Sequence, residues 1–202
     1  MASRDGPIVT GTDGKDFLHR ETVASHYKVS ATNKGRLRAC FGVHVLLFFV
    51  MIAKLSADIL DRLDVFIWEI EVLVLPKPLA WEYLWAVSFL FIYWGNHGNS
   101  KNNIRSMRIF QGGIVVFGLG MVLFAILWYF NDVLLYVSTG STEGIQIWQS
   151  LICILIFLQG YPYGLLWYVF LAIALQIHAF SLVFSQKLIN AWKARGTLKK
   201  AQ

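Results

Sequence analysis

Charge is scarce in this chain. Eighteen Lys and Arg and twelve Asp and Glu make up only 15% of 202 residues, against 56% hydrophobic residues and a mean hydropathy of +0.54. A soluble domain carries about a quarter charged residues, and a chain this short cannot bury such an apolar surplus in one water-soluble core. A soluble enzyme is therefore not expected, nor is intrinsic disorder. Cysteine is scarcer still: Cys40 and Cys153 cannot make a disulfide framework, and no zinc-type spacing exists. Nucleophile elbow, phosphate loop, HExxH helix and paired catalytic carboxylates are all missing. No enzymatic activity, catalytic residue, cofactor or metal is expected, and no nucleic-acid partner. The first thirty-eight residues hold no apolar run, so no cleavable signal peptide is expected. Ala2 after Met1 excludes N-myristoylation, which needs glycine there. No Asn-x-Ser/Thr sequon occurs, so glycosylation offers no check on sidedness.

What the chain has in quantity is apolar length. A membrane-spanning helix needs about 20 mostly apolar residues. The first such run follows the basic cluster Lys34, Arg36 and Arg38 and covers about 39–60. The second, about 79–95, is opened by Pro78 and closed by Gly95-Asn96, with Trp81, Tyr83 and Trp85 at one end and Tyr93 and Trp94 at the other as interfacial belts. The third, about 109–130, has no charge inside it. The last apolar block is broken by Gly160, Pro162 and Gly164; its second part, about 165–184, is a span. Its first part, 145–158, has the length of an interfacial or re-entrant piece.

Charge then chooses between four and five spans. Fifteen of the eighteen cations precede the first span, lie between the second and third, or follow the last. The opposite loops hold Arg62 and Lys77 against Asp61, Asp64, Glu69 and Glu71, and residues 131–147 contain no cation. Cytosolic loops carry the excess of Lys and Arg. The expected architecture is thus an all-α integral membrane protein with four transmembrane helices and both termini cytosolic. Its parts are a cytosolic arm (1–38) with an amphipathic helix, a transmembrane domain (39–185) and a basic cytosolic tail (186–202).

Few residues suggest chemistry. Lys54 and Asp58, four apart on one helical face, form a candidate intramembrane polar pair. It is either an ion or proton site, or a pair snorkelling to the luminal interface. Glu82, beside Trp81 and Trp85, reads as interfacial. His44 and His178 fall at similar depth and can face each other. Two histidines make a poor zinc site, which wants three or four ligands, so interhelical hydrogen bonding is their expected role. Gly113 and Gly120 share a face of the third span and read as helix-packing positions. Cys40 lies where S-palmitoylation occurs, or is merely a small apolar residue. Between Val65 and Leu75 polar and apolar residues alternate with a strand-like period of two. In the arm, Phe17, Ala24, Tyr27 and Ala31 recur at helical spacing, with Asp13 or Asp16 as N-cap. That helix lies on the anionic leaflet, binds a cytosolic partner, or belongs to a partly disordered arm.

The chain closes on Lys199-Lys200-Ala201-Gln202, with lysines third and fourth from the carboxyl end. This resembles the dilysine retrieval signal of endoplasmic reticulum membrane proteins, read by the COPI coat; a solvated basic tail is the plain alternative.

Taken together, the sequence resembles the Jagunal family of endoplasmic reticulum membrane proteins. The likeness begins at Met1-Ala2-Ser3-Arg4 and Gly11-Thr12-Asp13-Gly14. It continues through Asp16-Phe17, His19-Arg20-Glu21, Val23-Ala24, His26-Tyr27, Val43-His44, Ala53-Lys54 and Trp81-Glu82-Tyr83. It is strongest at Gln176-Ile177-His178-Ala179 and from Gln186 to Trp192, and thin from about 76 to 168. The resemblance implies a four-span protein needed for endoplasmic reticulum organisation and for vesicle-mediated transport in the secretory pathway, exocytosis included. It also implies COPI association through Lys199 and Lys200. The rival reading from the residues is a small four-helix transporter or channel using Lys54, Asp58 and the membrane-embedded histidines.

Overall fold

The computed structural model describes residues 16–71, 76–145, 147 and 160–200, with backbone alone for 16–26, 69, 71 and 195–200. The described residues are helical apart from turns and one isolated bridge between Ile147 and Pro162. The helices are α1 (Asp16–Arg62), α2 (Trp68–Glu71), α3 (Ala80–Lys101), α4 (Ile104–Gly113), α5 (Met121–Thr139) and α6 (Tyr163–Lys200). A π-helical stretch, Ile114–Gly120, joins α4 to α5 without a break. Among the described residues, three helical stretches are long and apolar enough to cross a membrane: Tyr27–Arg62, Ile104–Thr139 and Tyr163–Ala194. The all-α integral membrane class read from composition is the class observed. At 22 residues α3 has the length for a crossing, about 33 Å, but is less apolar.

The arm helix and the first span are one helix. No proline lies within the 47 residues of α1, and a Cβ on Gly35 or Gly42 would meet nothing within 4 Å, so neither forces a break. Helix-interior glycine costs about 1 kcal/mol, and burial of Leu37 and Phe41 against the bundle offsets it. The chain leaves α1 through Asp64, whose φ is 56°, with the Val65 N–H bonded back to the Leu60 carbonyl at 3.0 Å. Trp68–Glu71 is a helical turn rather than a strand; residues 72–75 lie outside the described residues, as does most of the 145–158 run.

α3 overruns its expected end at Gly95-Asn96. Those glycines are contact points, not stops. A Cβ on Gly95 would sit 2.7 Å from the Phe41 ring and 2.8 Å from that of Phe110, and one on Gly98 would lie 3.0 Å from the Met107 backbone nitrogen. The helix ends at Asn102, in the left-handed region at φ 55°. Asn103 caps the next helix by accepting from the backbone N–H of Arg105 (2.9 Å) and Ser106 (3.3 Å). α4 and α5 likewise exceed the expected 109–130, ending at Gly140 (φ 66°).

Consecutive long helices run antiparallel. α1 packs beside α3 and α6, and the α4–α5 rod closes the other side against α3 and α6. Ser30 on α1 meets Trp192 on α6, so the start of α1 and the end of α6 share one end of the bundle. Two apolar clusters fill the interior. One gathers Leu37, Phe41, Met107, Phe110, Leu188 and Ile189 near that shared end. The other gathers Met51, Leu55, Trp81, Trp85, Tyr129 and Trp167 near the opposite end. Outward faces carry large apolar side chains such as Leu46, Phe49, Leu123, Leu127, Val169 and Phe180, as expected of a surface solvated by lipid.

Candidate functional site

Among the described residues, the buried Lys54, Glu82, His44 and His178 fall in two polar layers of this bundle. In the layer nearer the α1–α3 connection, Lys54 forms an ion pair with Glu82 across α1 and α3. Glu82 is fully buried, and its other carboxylate oxygen accepts from the Leu79 N–H at 3.3 Å. One turn along α1, Asp58 accepts from the Tyr83 hydroxyl and from Arg62 Nε, the latter at 2.7 Å. Lys54 and Asp58 are thus both in this layer, but each takes its close partner elsewhere. Neighbouring residues of α3 divide the two: Glu82 reaches Lys54, and the hydroxyl of the longer Tyr83 side chain reaches Asp58. Two cations face two carboxylates, so the layer carries no net charge. Beside it Trp81, Tyr129, Tyr163 and Trp167 form a closed edge-to-face ring, with centroids 5.3 Å (Trp81–Trp167) to 6.5 Å (Trp81–Tyr129) apart.

The second layer separates the two apolar clusters. His44 Nε2 and Ser88 Oγ are 3.0 Å apart, linking α1 to α3. The Trp85 indole N–H donates to His178 Nε2 at 3.1 Å, linking α3 to α6. The indole can only donate, so Nε2 accepts and the ring proton of His178 sits on Nδ1. The two imidazoles meet edge to face with centroids 4.8 Å apart. Room for them comes from the π-helical stretch, where a Cβ on Gly118 would lie 3.1 Å from His178 Nε2. Both histidines therefore make interhelical bonds, His44 to a serine hydroxyl and His178 to an indole. Among the described residues no group of three or more His, Cys, Asp or Glu is placed to hold a metal ion.

Sequence reasoning overlooked Glu82 as the lysine's partner, and Ser88 and Trp85 as histidine partners. The signal was present: Glu82, Trp85 and Ser88 recur at three-residue steps and so lie along one stripe of α3. Of the two glycines expected to pack, Gly113 does, since a Cβ there would lie 2.1 Å from the Phe91 ring; Gly120 meets only its own helix, and Gly118 takes the second contact. Cys40 is buried and hydrogen-bonded with Ser181, so its thiol faces the bundle. Near the shared end, Lys34 sits over the Trp192 ring at 5.9 Å. Lys199 and Lys200 form the last turn of α6.

Set beside known proteins, residues 1–196 match the family model "Jagunal, ER re-organisation during oogenesis". The chain is 44% identical over 207 residues to "Protein jagunal" of Drosophila pseudoobscura pseudoobscura and 42% identical to that of Drosophila melanogaster, covering 100% of both chains in each case. It is 34% identical over 192 residues to "Protein jagunal homolog 1" of Homo sapiens, covering 95% of this chain and 94% of the human one.

Proposed function

The chain belongs to the Jagunal family, and from that premise we propose that it is a non-enzymatic, four-span protein of the endoplasmic reticulum membrane. Its role is to organise that organelle and to support vesicle-mediated transport in the secretory pathway. The observation that carries this reading is the match of residues 1–196 to a family described by reorganisation of the endoplasmic reticulum. The buried layers support it from the other side: their polar groups bind one another across helices, the use expected of a scaffold.

Four spans follow if α3 crosses with the helices it packs between. Tyr83 at one end and the exposed Tyr93 and Trp94 at the other suit two interfaces. The shared end, which carries most of the cations, then faces the cytosol. The tail adds an address. Lys199 and Lys200 form the dilysine-type signal for the COPI coat, and an α6 of 38 residues, about 57 Å, is long enough to lift them clear of a 30 Å hydrocarbon core. The family match ends at residue 196, so this signal stands on the tail's own sequence. Changing both lysines to serine should move the protein to later secretory compartments and weaken its capture by purified coat. Unchanged reticular localisation and unchanged coat capture would overturn the address.

A further inference from the structure

α4 and α6 leave a groove on the outside of the bundle, and its chemistry changes along its length. At the shared end it is a hollow of about 620 Å³ where Arg105, Arg108 and Lys193 converge between Ile104 and Ile109. Farther along, a second hollow of about 570 Å³ is lined by Val115, Leu182 and Val183 together with Gln111, Gln186, Lys187 and Asn190. Arg105 to Val115 is ten residues, about 15 Å along the helix, which is the thickness of hydrocarbon in one leaflet. No Asp or Glu occurs between Glu82 and Asp132 or after Glu143, so neither α4 nor α6 offers a counter-charge. Among the described residues none of the three cations has a carboxylate partner.

We propose that this groove binds one anionic glycerophospholipid, its phosphate held by Arg105, Arg108 and Lys193 and an acyl chain laid along Val115 and Val183. Charge complementarity selects the headgroup. Arginine forks match phosphate oxygens in pairs, and lysine adds a point charge. The apolar floor selects an amphiphile over a soluble anion or an acidic peptide, because neither would cover it. The site rests on the part of the proposed topology that puts this end of the bundle at a membrane surface, and not on the trafficking role.

The test uses the full chain in nanodiscs of phosphatidylcholine containing a minor share of photoactivatable phosphatidylinositol or, separately, photoactivatable phosphatidylcholine. The phosphatidylinositol probe should label peptides of α4 and α6 preferentially. The triple variant R105Q/R108Q/K193Q should lower that preference at least about fivefold, the worth of one cation near an anionic lipid surface. K28Q/R38Q/K101Q, an equal charge change at exposed positions off the groove, should leave it intact. The double variant V115W/V183W should reduce labelling by both probes. All these side chains are exposed, so the fold is retained, and R108Q alone gives a second, milder check. Equal labelling by the two probes, a triple variant like wild type, an equal loss in the control variant, or displacement by soluble inositol phosphate or an acidic peptide would each overturn the proposal. Nanodiscs present both leaflets, so an error in assigning the cytosolic side leaves this result intact.

Discussion

Consider first what happens when the buried ion pair is broken from one side. Lys54→Met leaves the Glu82 carboxylate fully buried with one backbone N–H at 3.3 Å as its remaining partner. Asp58 cannot release a substitute, because its neighbours Tyr83 and Arg62 are already bound to it. Glu82→Met leaves an ammonium on a long flexible stem one turn from Asp58, free to reach toward the interface. Breaking a buried pair costs about 3–5 kcal/mol, while replacing both partners by apolar groups is often neutral or stabilising. K54M should therefore fall near the top of that range and E82M near the bottom. At about 2–4 °C per kcal/mol for a chain of this size, the singles should lower the apparent Tm by roughly 6–20 °C. K54M/E82M should recover most of the loss. The assay is thermal unfolding in one detergent, read by tryptophan fluorescence and completed as a double-mutant cycle. Single variants that melt like wild type, or a double variant as damaged as the two singles summed, would refute the reasoning.

Other consequences are simpler to read. Gly113→Ala drives a methyl into the Phe91 ring and should cost about 1–3 kcal/mol, whereas Gly112→Ala, which meets nothing within 4 Å, should gain up to about 1 kcal/mol of helix propensity and melt at or above wild type. Ser88→Ala strips buried His44 of its hydroxyl partner and should cost about 1–3 kcal/mol in the same melt. Cys40 should react with maleimide slowly in the folded protein and rapidly after unfolding in SDS; fast labelling of the native form would contradict its burial against Ser181. A transporter built on Lys54 and Glu82 would lose its flux in reconstituted K54M/E82M, whereas a scaffold would keep its cellular role in that variant.

Class was legible because it rests on bulk quantities: charge scarcity and apolar length identify a helical membrane protein before any residue is named. Boundaries were less so. Gly95 looked like a stop because glycine commonly ends helices, but the decisive fact is the approach of Phe41 and Phe110 from other helices, which no local pattern carries. The same holds for the unbroken α1, where Leu37 and Phe41 pack with Met107, Phe110 and Leu188, partners distant in sequence. Pairing was legible only in part. The facing of His44 and His178 followed from counting depth along two spans, and the same count would have matched Lys54 with Glu82. The helical spacing of Lys54 and Asp58 drew attention to a neighbour on one helix instead. The π-helical stretch that seats His178 has no signal in composition beyond its glycines.

The account turns on which side of the membrane the shared end of the bundle occupies. Epitope tags placed before Ala2, after Gln202 and in the α1–α3 connection, followed by protease digestion of sealed microsomes, read all three positions at once. Both terminal tags should be digested and the connection tag protected until detergent is added. A protected C-terminal tag would contradict the topology and, with it, the dilysine address.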